Sequence, residues 1–218
     1  MTVNSNKFRS IGYLTDWLVR FSILMIILTV ISSVTTFYLT ISTAYSQPLS
    51  DNTYGAYGGV GSVTGIISFL TGIITLYWYY RATLNIHSFG AKDVTSPTMA
   101  AIWWIVPIFF FWKPYHVTQQ IWKTSNPELN LTEGIEWIKS PSSKLIKQWW
   151  TLFLVSIAGT VLGTIIGYST NLLFLENLLV IPFEVVGIIS TILFIRIIRQ
   201  ISTRQELKHS NLTRHTLV

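Results

Sequence analysis

MAAIWWIVPIFFFW, running from Met99 to Trp112, is apolar from end to end, and whether it crosses a membrane decides the arrangement of the whole chain. As a helix its 14 residues would reach ~21 Å, short of the ~30 Å hydrocarbon core of a bilayer. Pro107 also interrupts it, removing a backbone donor and crowding the preceding turn. Four other stretches, about 17–42, 60–80, 149–169 and 178–198, have the ~20 mostly apolar residues that a spanning helix needs.

Charge decides between four spans and five. The 15 Lys and Arg residues fall in four clusters. These are Lys7, Arg9 and Arg20; Arg81 and Lys92; Lys113, Lys123, Lys139, Lys144 and Lys147; and Arg196, Arg199, Arg204, Lys208 and Arg214. If Met99 to Trp112 spans, the third cluster lies opposite the second and the two basic chain ends lie on opposite sides. If it does not, every cluster shares one side, which insertion makes cytoplasmic. The loops left outside, 43–59 and 170–177, then carry only Asp51 and Glu176 as charges. The expected fold is therefore an all-α integral membrane protein. It has four transmembrane helices and a short Pro-broken re-entrant or interfacial segment, 98–123, between spans two and three. Residues 1–218 are expected to form a single membrane domain in the cell membrane, with both termini and the tail 199–218 cytoplasmic.

Composition agrees. Half of the 218 residues are hydrophobic and 11% are charged, against about 25% in soluble domains, and mean hydropathy is +0.48. The net charge of +6 lies at the flanks of apolar runs, so it reads as topology and headgroup contact rather than nucleic-acid binding. With no Cys, the chain has no disulfide, thiolate metal site or cysteine nucleophile. All nine Trp fall toward the basic side, where the headgroup interface suits an apolar ring with one N–H. Tyr45, Tyr54, Tyr57 and Tyr168 form a thinner outer belt, and the loop 46–61 is expected to be flexible. Small residues mark expected packing seams: Gly159, Gly163 and Gly167; Gly61, Gly65, Ser68, Gly72 and Thr75; and Thr29, Ser33, Thr36 and Thr40. In the tail, Ile197, Ile201 and Leu207 make no long apolar seam, so the last helix is expected to extend and then fray.

The most distinctive block runs from Trp78 to Pro127. It contains Tyr80-Arg81-Ala82 and Asn85, Phe89-Gly90-Ala91 and Ser96-Pro97. Trp103-Trp104-Ile105-Val106-Pro107-Ile108 and Trp112-Lys113-Pro114-Tyr115 follow, then Ile121-Trp122-Lys123, Ser125 and Pro127. This order of motifs resembles the DUF4328 family of bacterial membrane proteins, a domain of unknown function. Trp149-Trp150 and the ending from Arg199 to Gln205 extend the resemblance over most of the chain. Two departures are visible. Phe109-Phe110-Phe111 stands where the family usually has an Asn, and Phe89 where it has Leu. The resemblance implies architecture and carries no activity.

Two readings of the block stand side by side. In one, Pro107 and Pro114 break the helix, Trp residues anchor its limbs, and Arg81 or Asn85 satisfies freed carbonyls. In the other, Arg81, Asn85, Trp104, Pro107, Trp112, Lys113, Tyr115 and Trp122 form a cytoplasmic site for a partner protein or an anionic group such as a lipid phosphate. Glu184 is the sole acid well inside a span, where a carboxylate is costly and marks a functional site by default. Three readings are open for it: a protonated carboxyl, a carboxyl bonded to hydroxyls such as Thr36 or Thr164, or one lining a shallow outer cavity. His87, His116 and Asp93 match no metal-ligand spacing, and no acid–base–nucleophile set is visible. The leading expectation is a non-enzymatic membrane module with membrane lipids, a protein partner or a second copy as its associates, and no nucleic acid, cofactor or metal. A small channel or transporter using Glu184 and the broken segment comes second, although no inverted repeat is evident. An intramembrane enzyme comes third.

Overall fold

The computed structural model describes residues 8–44, 51–170 and 173–216. Seven α-helices lie within them: α1 (Gly12–Ala44), α2 (Asp51–Ser88), α3 (Pro97–Ile102), α4 (Pro107–Phe110), α5 (Lys113–Thr124), α6 (Lys144–Thr170) and α7 (Leu173–Thr216). A 3-10 turn occupies Glu136–Lys139, and the described residues contain no strand. Four helices, α1, α2, α6 and α7, are long and apolar enough to cross a membrane, so the chain is an all-α integral membrane protein. The apolar stretch around Pro107 forms no fifth span. It is divided into α3 and α4, of six and four residues, which reach only ~9 and ~6 Å.

All four long helices outrun the apolar runs that announced them. Residues 51–61, expected as flexible loop, are the opening turns of α2. The glycine content there misled: a helix satisfies its own backbone, and that requirement at membrane depth outweighs the conformational cost of glycine. The tail extends the last helix as expected, and α7 continues to Thr216. Of the outer belt, Tyr45 lies outside the described residues, as do the side chains of Tyr54, Tyr57, Tyr168, Asp51 and Glu176.

The chain folds as two compact units. Unit 1 contains the described residues of Met1–Val19, Gly72–Lys147 and Phe194–Val218; unit 2 contains those of Arg20–Thr71 and Gln148–Leu193. In unit 2, α6 and α7 meet along the expected glycine seam. A Cβ on Gly159 would lie 2.1 Å from the Phe183 ring, and one on Gly163 would lie 2.8 Å from Val180 Cγ2. Across the same pair, Ser156 Oγ donates to Phe183 O at 3.0 Å, and a Cβ on Gly187 would stand 2.7 Å from that hydroxyl. The hydroxyl face of α1 reaches α7 at two points, Ser33 to Glu184 at 2.5 Å and Thr40 to Asn177. The small-residue face of α2 is different. A Cβ on Gly61, Gly65 or Gly72 would meet nothing within 4 Å, so these glycines seat no described neighbour, whereas Ser68 on the same face donates to Met25 Sδ at 3.4 Å.

Gly159→Leu is expected to cost ~1–3 kcal/mol by overpacking, read as a lower unfolding midpoint in detergent. Gly65→Leu, with open space around it, should change stability by less than ~0.5 kcal/mol. Equal losses at the two positions would contradict this packing.

Candidate functional site

Unit 1 is built around α5, the one helix of the block with two distinct faces. Pro114, Val117, Thr118, Ile121 and Thr124 recur at helical spacing and are buried. Gln119 exchanges both amide atoms with the Ser143 backbone, each at 2.9 Å. Gln120 Oε1 accepts from the Thr95 hydroxyl at 2.8 Å and from its N–H at 3.1 Å. Tyr79 OH lies 2.7 Å from Thr118 Oγ1. Two indoles expected at the headgroups are core residues: Trp78 Nε1 donates to Thr15 Oγ1 at 2.9 Å, and Trp137 Nε1 to Lys92 O at 2.9 Å. Nearby, the Glu136 carboxylate accepts from the N–H groups of Glu133 (2.6 Å) and Gly134 (2.9 Å). Those backbone donors hold it below the usual carboxylate range.

A buried polar junction joins four segments of this unit. Gln205, fully buried on α7, donates to Ala82 O (3.0 Å) and Ser125 Oγ (3.2 Å) and accepts from Asn85 Nδ2 (2.8 Å). Asn85 also donates to Arg9 O (3.0 Å) and accepts from Arg9 N (3.3 Å), so its amide is spent on the N-terminal segment and α7. One turn on, Lys208 is 2% exposed and its ammonium donates to three carbonyls: Thr124 (2.8 Å), Leu129 (2.9 Å) and Asn126 (3.1 Å). Three carbonyl dipoles are the full complement for three N–H donors, which is how an unpaired ammonium tolerates burial. Arg204 stacks over Trp122 at 3.8 Å. None of these tail contacts was visible to a search for apolar seams, because the buried stripe of α7 is Ile197, Ile201, Gln205 and Lys208, half of it polar.

The Pro-broken segment presents the opposite chemistry. Ser96 caps α3, and Pro97 and Pro107 open α3 and α4 where a missing N–H costs nothing. Tight turns carry the backbone bonds across the breaks: Val106 N to Ile102 O (3.3 Å), Phe110 N to Val106 O (2.9 Å), Trp112 N to Phe109 O (3.2 Å) and His116 N to Trp112 O (3.2 Å). Asn85 spends its amide on Arg9 and Gln205 rather than on these breaks. The side chains of this segment divide. Trp104 packs on Tyr79 at 5.2 Å, whereas Ile105 and Ile108 are 65% and 69% exposed, with Phe111 and Trp112 exposed beside them. Lys113 follows directly, its ammonium 5.3 Å from the centre of the Trp103 ring, and Tyr115 is half-buried against His116. Arg81 keeps Nη2 buried with no hydrogen-bond partner. His87 Nε2 lies 3.1 Å from Thr95 O, His116 is exposed, and Asp93 is an exposed loop residue with φ 55°.

In unit 2, Glu184 meets Ser33, a hydroxyl one helical turn from the expected Thr36. It lines a cavity of about 310 Å3 together with Thr29, Ser156, Thr160 and Thr191. Among the described residues no three His, Asp or Glu gather as metal ligands would.

Gln205→Leu should orphan the Asn85 amide and the Ala82 carbonyl, costing ~1–3 kcal/mol for each buried group left unpaired. In a cycle with Asn85→Leu the losses should be strongly non-additive, measured as unfolding midpoints. Simple additivity would mean that the two amides act separately.

No curated protein and no solved structure matches the chain. The family model described as a domain of unknown function, DUF4328, matches residues 48–203, which hold the broken segment, all of α2 and α6, and α7 as far as residue 203. The match covers more than half of the chain, and the chain belongs to the DUF4328 family.

Proposed function

We propose that unit 1 is a membrane-surface module that gathers anionic lipid headgroups on the cytoplasmic face of the cell membrane. The observation that carries this reading is the exposed apolar edge Ile105, Ile108, Phe111 and Trp112, followed at once by Lys113. Backbone bonds bridge both breaks, with the N–H groups of Val106, Phe110, Trp112 and His116 returned to nearby carbonyls, which lowers the cost of bringing the edge to hydrocarbon. An apolar wedge ending in a tryptophan and a lysine matches the depth profile of a bilayer surface, where the ring sits among headgroups and the ammonium reaches phosphate. Among the residues singled out in the sequence, Lys113 and Arg81 have donors that protein acceptors do not use up, whereas Asn85 and Trp122 are engaged inside the unit. A lipid is favoured over a protein partner because the edge is a short apolar run, spread over α4 and the turns on either side of it.

The test is lipid retention. The protein is reconstituted in nanodiscs of mixed phosphatidylglycerol and phosphatidylcholine, and the lipids it keeps on release are counted by native mass spectrometry. Wild type should retain phosphatidylglycerol preferentially. Lys113→Ala and Arg81→Ala should each weaken that preference about fivefold, from roughly 1 kcal/mol per basic residue near an anionic surface. Equal retention of both lipids by wild type, or an unchanged preference in the double variant, would contradict the proposal and direct attention to a protein partner.

A further inference from the structure

The cavity of about 310 Å3 in unit 2 sets one carboxyl among hydroxyls and apolar walls. Glu184 enters it from α7, half-buried, and Ser33 on α1 donates to its Oε2, which fixes the group in place. Ser156 Oγ donates to Phe183 O at 3.0 Å, and Thr191 Oγ1 to Gly187 O at 2.9 Å. With those protons spent on the backbone, both oxygens keep lone pairs for a further donor. Thr160 adds a hydroxyl that can also accept. The polar side of the cavity thus offers acceptors from α6 and α7 around a single acid. Among the described residues that line it there is no Lys, Arg or His.

The rest of the lining is Phe153, Met25 and aliphatic side chains. An intramembrane carboxyl is costly and takes its partner from whatever the bundle admits. A positive group bearing N–H donors complements the acceptors, and an apolar body complements the walls, with the Phe153 ring favourable to a nearby cation. Volume separates an organic cation from an inorganic one. The cavity of about 310 Å3 stands at the lower end of small-molecule sites, ~300–1,000 Å3. A single ion of water size, ~30 Å3, would leave most of that space against apolar walls.

We propose that this cavity binds an organic ammonium ion, a protonated amine whose apolar body is a small ring on a short chain. Its N–H groups donate to the Glu184 carboxylate and to the Ser156 and Thr191 oxygens, and its body lies against Phe153 and Met25. Ser33 positions the carboxylate. Nothing in this proposal depends on the lipid reading of unit 1.

Titration calorimetry tests it, on the full chain in phosphatidylcholine nanodiscs with empty nanodiscs as the reference for partitioning. The probes are phenethylamine, its neutral counterpart phenethyl alcohol, and sodium chloride. Wild type should bind the amine saturably and the alcohol about tenfold more weakly, the scale of one charge-assisted hydrogen bond. Glu184→Gln keeps the side-chain shape and an acceptor for Ser33, and should lose amine affinity by about the same factor. Thr160→Phe fills the cavity with Glu184 still in place, should also lose amine binding, and carries the test if Glu184→Gln does not fold. No saturable amine binding by wild type, equal affinity for amine and alcohol, or undiminished amine binding in either variant would overturn the proposal. So would displacement of the amine by equimolar sodium, which would assign the cavity to an alkali metal ion.

Discussion

Gln205 is the residue on which the polar interior of unit 1 depends. Its side-chain amide is fully buried and engages α2 through Ala82 and Asn85, and the end of α5 through Ser125. Asn85 passes the connection on to Arg9, and Lys208 gathers the loop carbonyls one turn beyond. Each of these groups would cost ~1–3 kcal/mol if buried unpaired, so the junction is stabilising only when complete. Buried away from water, these groups have only one another and the backbone as partners.

The same requirement shapes the broken segment in the opposite direction. Pro107 and Pro114 prevent a single helix, yet the turns between α3, α4 and α5 bond the N–H groups of Val106, Phe110, Trp112 and His116 to nearby carbonyls. The backbone bridged in this way presents Ile105, Ile108 and Phe111 outward. Within one unit, then, a satisfied polar interior supports an apolar edge. In unit 2, Glu184 follows the same rule at a single point, with a serine supplying its partner.

The architecture was legible in the sequence because apolar length and charge placement are one-dimensional signals. The four spans, the failure of Met99 to Trp112 to make a fifth, and the Gly159 and Gly163 contacts all follow from local spacing. Helix ends were less legible: glycines before residue 61 resembled a loop, and the tail after residue 198 lacked an apolar seam. The tail does have a seam, but Gln205 and Lys208 occupy half of its positions, and polar residues register as buried only once their distant partners are known. The partners of Asn85 lie 76 and 120 residues away, beyond any motif spacing. Glu184 itself stood out by its place inside an apolar run, and only the fold distinguished Ser33 from Thr36 as its partner.

The proposal for this chain requires the broken segment to share a side with the basic clusters and its apolar edge to enter the bilayer. The chain has no Cys, so single cysteines can be introduced without background. Labelling with a membrane-impermeant thiol reagent from each side of sealed vesicles addresses the claim directly. Cysteines at Lys113 and Ser210 should react from the same side, and one at Ile108 should be protected until detergent is added. Labelling of Lys113→Cys from the side opposite Ser210→Cys, or free aqueous labelling of Ile108→Cys, would contradict the account.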